Sequence, residues 1–138
     1  MALPQAAEAR VFYQSATQRW IDAEILLREG RTTGATYLAG YSIECMLKSL
    51  ILSVTPARDR ESVLTSFRGV KGHNYLWLKA KYFEAGGSQI ESVISRSFLL
   101  VNSWSTHLRY ESHTLKAIDA ASFLKSAKEI LDWADRRL

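Results

Sequence analysis

Apolar residues recur at helical spacing in segment after segment of this chain, and no run alternates with the period of a strand. From about residue 6 to residue 29, Phe12, Ala16, Trp20, Ala23 and Leu27 share one helix face. Gly30 follows as a C′ residue, and the short connection 31–34 favours an antiparallel neighbour. A second helix runs from about residue 34 to residue 54, where Thr55-Pro56 stops it. Residues 55–73 read as irregular, with one short helical turn around 62–67. A third helix covers about 75–85 and is broken by Gly86-Gly87. Ser88 stands as the N-cap of a fourth helix, with Glu91 in the capping-box position and Ile90, Ile94, Val101, Trp104 and Leu108 on one stripe. Residues 110–118 read as a linker. Asp119 then caps a last helix whose face is Phe123, Leu124, Ala127, Ile130, Leu131, Ala134 and Leu138. The pattern predicts an all-α fold: one domain over residues 1–138, an antiparallel up-and-down bundle of four to five helices.

The second helix departs from the amphipathic rule. Leu38, Ala39, Ile43, Met46, Leu47 and Leu50 cover most of its circumference, as in a central, buried helix. Yet Tyr37, Tyr41, Glu44 and Lys48 fall together on one side of it. Burying a charge costs several kcal/mol unless it is paired or reaches water. Glu44 and Lys48 are in the favourable i, i+4 order with the acid first. Two readings stay open: a pair that only locks helices in register, or one wall of a cleft that holds a base and a phosphate.

Composition narrows the classes. Hydrophobic residues make up 47% and charged residues 23% of 138, as in an ordinary globular domain. The first ten residues lack the basic and apolar regions of a secretory signal, and the charges on the second helix argue against a membrane span, so a cytoplasmic protein is expected. The lone Cys45 excludes an intramolecular disulfide, and Cys45, His73, His107 and His113 are too scattered for a structural zinc site. Neither a P-loop motif nor paired carboxylates occur, so no metal and no cofactor are expected. The net charge of +4 includes Arg58, Arg60, Arg68, Lys71, Lys79 and Lys81, a local excess compatible with a phosphate-bearing partner.

With the segments placed, Ala35 to Lys48 (A-x-Y-L-A-G-Y-x-I-E-C-x-L-K) resembles the HEPN family, the higher eukaryotes and prokaryotes nucleotide-binding domain. His73-Asn-Tyr-Leu76 matches that family's His-x-x-Leu after an irregular loop, and Trp104 and Arg109-Tyr110 match its later signature. The resemblance implies a bundle that often forms homodimers, with functions from nucleotide binding to metal-independent RNA cleavage. It also implies a minimal nucleotidyltransferase as a frequent partner protein in toxin–antitoxin pairs. Four Trp and six Tyr are generous for a small bundle and agree with an interface.

The expected nucleotide- and phosphate-binding residues are Tyr37, Tyr41, Glu44, Lys48, His73 and Tyr110. Arg109 is expected to reach the groove edge and complete a charged cluster with Glu44 and Lys48. HEPN ribonucleases pair an Arg with a His across four to six intervening residues, the Arg stabilising transition-state charge and the His moving a proton. Arg109 and His113 are the corresponding catalytic pair, one residue short of that spacing. Arg68 and His73 have four residues between them but lie before the third helix. His107 and His113 read otherwise as solvated side chains.

Overall fold

Small residues at heptad spacing set the first helical hairpin. Ala9, Ala16 and Ala23 on one helix are fully buried, and Ala35, Ser42 and Ser49 on the next are buried too. The Ser49 hydroxyl donates to the Ala9 carbonyl at 2.8 Å, and the Ser42 hydroxyl donates to the Ala16 carbonyl. That antiparallel register sets Ala35 opposite Ala23, so small residues face small residues along the whole seam and the two backbones approach closely. The computed structural model describes residues 3–110, 112 and 114–138. Among these are six α-helices and no strand: α1 (Ala7–Arg28), α2 (Thr32–Val54), α3 (Arg60–Ser66), α4 (Tyr75–Glu84), α5 (Ser92–Val101) and α6 (Ala117–Asp135). Three 3-10 segments join them at Ala57–Asp59, Val70–His73 and Thr106–Tyr110.

The all-α bundle expected from periodicity is what forms. α2 is its axis, packed by α1, α4 and α6. It is the one described helix long and apolar enough to cross a membrane, but 72% of that window is buried inside the bundle. Gly30 ends α1 as expected: at φ +76° it lets Arg31 N–H reach the Leu26 carbonyl and its own N–H reach Leu27, a Schellman ending. Gly86, at φ +105°, ends α4 in the same way.

Four boundaries differ from those the sequence predicts. The segment 55–73 holds more helix than expected, so the bundle has six helices rather than four to five. Ser88 is not an N-cap. The Arg137 guanidinium takes the Ser88 hydroxyl, the Gln89 carbonyl at 3.0 Å and Glu91 at 2.8 Å, which keeps 88–91 extended and starts α5 at Ser92. At the other end, α6 begins two residues before Asp119, so this carboxylate sits in the first turn, facing the positive end of the helix.

The expected fourth helix also stops early, at Val101. Trp104 leaves the helical path to lie on Gly40 of α2, where any Cβ would collide with the indole. There its Nε1–H donates to the Tyr37 carbonyl at 3.1 Å.

Candidate functional site

Glu44 is the most deeply buried acid in the described chain, 1% exposed, and both its oxygens are engaged. Lys48 Nζ donates to Oε2 at 2.8 Å. His73 Nδ1 donates to Oε1 at 2.9 Å, across from the 3-10 turn Val70–His73. The compensation for the buried acid thus comes from its own helix and from the loop before α4. Lys48 is buried as well, its ammonium 5.7 Å from the Phe12 ring centre and 5.4 Å from that of Phe67, so two aromatic faces replace part of its lost hydration.

The consequence for His73 is specific. A carboxylate only accepts hydrogen bonds, so in the neutral ring Glu44 selects the tautomer protonated at Nδ1 and leaves Nε2 as the acceptor. His73 is nearly half exposed, with 46% of its side chain in contact with solvent, and it lines a cleft of about 350 Å³. Trp104, Tyr75, Ser105, Thr106 and His107 also line that cleft. Asn74 caps α4 through Trp77 N–H at 3.0 Å, which holds the residue after His73 in place.

Behind the cleft stands a column of rings. Trp104 lies parallel to Tyr75, centroids 5.4 Å apart, and stacks on Tyr37 at 5.9 Å, which in turn meets Tyr41 at 6.5 Å. The Tyr75 hydroxyl donates to the Gly40 carbonyl at 2.8 Å. Burial, with the Glu44 charge second, holds the Tyr75 phenol well above its ordinary pKa. The Cys45 thiol is pushed up to about 12, first by burial and then by Glu44. Tyr41 is also raised, by Cys45 first and by burial next. All three therefore stay protonated near neutral pH, leaving Glu44, Lys48 and His73 as the polar centre of this region.

The expected residues separate into three groups. Glu44, Lys48 and His73 come together in one hydrogen-bonded chain, and only His73 of that chain lines the cleft. Tyr37 and Tyr41 are half-buried in the ring column. Arg109 and Tyr110 are exposed at the end of the 3-10 turn Thr106–Tyr110. Arg109 does not join Glu44 and Lys48: its Nε donates to the Thr106 carbonyl at 3.1 Å, and its guanidinium lies over the Tyr110 ring at 5.4 Å. Because Thr106 and His107 belong to the same turn and line the cleft, Arg109 is tied to the cleft wall through one hydrogen bond. His113 lies outside the described residues. The sequence predicts a solvated His107 on the fourth helix; the turn after Val101, which no periodicity signals, brings it to the cleft. Among the described residues there is no group of three or more His, Cys, Asp and Glu side chains that could hold a metal ion.

The family model described as HEPN domain matches residues 9–137. No curated protein and no solved structure matches the chain.

Proposed function

Because this chain belongs to the HEPN domain family, whose members are helical modules of nucleotide-binding and RNase type, we propose that it binds single-stranded RNA or a nucleotide at the His73 cleft. The observation that carries this reading is the Glu44–His73 hydrogen bond: a fully buried carboxylate fixes one imidazole nitrogen, and the other is left for a ligand. His107 offers an exposed ring for a base, and Arg109 with Tyr110 extends the same turn with a guanidinium and a second exposed ring. Stacking on such rings is tolerant of base identity, while arginine pairs with phosphate. Lys48, being buried against Glu44, tunes the site from behind and does not itself meet phosphate.

Short single-stranded RNA and ATP, titrated at two salt concentrations, test this reading. Binding that weakens with salt and falls several-fold in Arg109→Ala is the expected result. Absence of binding by the wild type, or undiminished binding by Arg109→Ala, overturns it.

A second reading goes further, to RNA cleavage without a metal. Its support is the pair of imidazoles on one cleft. In this reading His73 Nε2 takes the proton of a ribose 2′-hydroxyl, whose oxygen forms a bond to phosphorus. The bond from phosphorus to the 5′-oxygen breaks, and protonated His107 supplies the proton to that leaving oxygen. Arg109 with His113 remains the other catalytic pair that this family suggests.

The assembly we propose is a cytoplasmic homodimer that a minimal nucleotidyltransferase neutralises as its antitoxin partner. The outer side of α5 supports the dimer: Val93 and Leu99 are each more than 60% exposed, and Ile118 of α6 is 73% exposed. Such an apolar surface is ordinarily covered by a partner. Light scattering at micromolar concentration should give twice the chain mass, and Leu99→Lys should return the monomer. A monomeric wild type contradicts the dimer.

A further inference from the structure

A second cavity, sharing no residue with the His73 cleft, opens where the start of α2 meets the end of α5 and the first half of α6. Its volume is about 310 Å³, at the lower end for a small-molecule site. Thr36 on its wall is 5% exposed, and its hydroxyl has no hydrogen-bond partner among the described residues. Helical hydroxyls elsewhere in this chain escape that fate by donating to the carbonyl four residues back, as Ser53, Thr55, Thr65 and Ser97 do. Thr36 does not. A buried polar group without a partner is costly, which makes it unusual enough to require a reason.

The rest of the lining supplies one. Ser103, Ser122 and Ser126 add three more hydroxyls, and Asp119 adds a carboxylate that forms no ion pair among the described residues. Leu100, Leu115 and Phe123 form the apolar remainder of the wall. No basic side chain lines the cavity, so its only formal charge is negative. A carboxylate accepts and cannot donate, and the hydroxyls can all act as acceptors. Such a wall repels anions and rewards a ligand that donates several hydrogen bonds from one charged end.

We infer that this cavity binds a small organic amine: its ammonium group sits among the Asp119 carboxylate and the Thr36 and serine hydroxyls, and its hydrocarbon part lies on Leu100, Leu115 and Phe123. The site is separate from the RNA cleft and stands whether or not RNA binds there.

Three fragments of one shape and different charge test it: benzylamine, benzyl alcohol and benzoate, each titrated into the whole chain and followed by backbone amide NMR. Benzylamine should saturate, with shifts concentrated at Thr36, Leu100, Ser122 and Ser126, and should bind at least tenfold more tightly than either other fragment. Asp119→Asn, an exposed substitution that leaves the fold intact, should weaken benzylamine about tenfold. Thr36→Val keeps the side-chain shape and should weaken it severalfold without lowering the melting temperature. Equal binding of the three fragments, shifts spread away from the cavity, or undiminished affinity in either variant would overturn the assignment.

Discussion

Glu44→Ala lowers the unfolding free energy by about 3–5 kcal/mol, the usual cost of stranding the other member of a buried ion pair. The stranded group is Lys48, buried between Phe12 and Phe67 with Glu44 as its one ion-pair partner among the described residues. The rings soften the loss but cannot replace a carboxylate at 2.8 Å. For a domain of this size the effect is a fall in melting temperature of roughly 10–15 °C. The double variant Glu44→Gln with Lys48→Met should recover most of it, because it removes both charges and keeps the volume. A thermal melt of the two proteins checks the claim: if the double variant melts as low as the single one, the loss comes from the missing charged pair itself and not from a stranded Lys48.

His73→Ala acts on function first, since the side chain is nearly half exposed at the cleft, and it also costs some stability by leaving Glu44 Oε1 without its partner. If the cleft cleaves RNA, losing a general base costs about 10²–10⁴ in rate. His73→Gln keeps a polar side chain but has no basic nitrogen, so it should be as slow as alanine. The cleavage rate of a short oligonucleotide, measured with a chelator present, decides this. A rate within threefold of wild type for His73→Ala assigns the chemistry elsewhere, to Arg109 and His113 first.

Much of this molecule is legible along the chain, and the reason is local. The α1 and α2 segments carry their own period, and Gly30 carries its own stop, so both helices and the turn between them follow from neighbours in sequence. Glu44 and Lys48 stand out for the same reason, as charges on a helix otherwise apolar all round. What the sequence hides depends on long-range contacts. Arg137 holds residues 88–91 extended from nearly fifty positions away, and no capping pattern signals that. Trp104 ends the regular path after Val101 because Gly40, far off in sequence, leaves room for its indole. The same displacement carries His107 onto the cleft and leaves Arg109 hydrogen-bonded to its own turn. The sequence places His73 among the phosphate-binding candidates, in the loop before the third helix; only the fold shows that Glu44 is its partner.

The central claim is that buried Glu44 holds His73 with Nδ1 protonated and Nε2 turned to a ligand. Long-range nitrogen–proton NMR of the histidine rings reads this directly. In the neutral form, His73 should show a protonated Nδ1 and a bare Nε2, and the Nε2 resonance should move when a dinucleotide is added. A neutral ring protonated at Nε2, or an Nε2 resonance indifferent to saturating dinucleotide, would contradict the account.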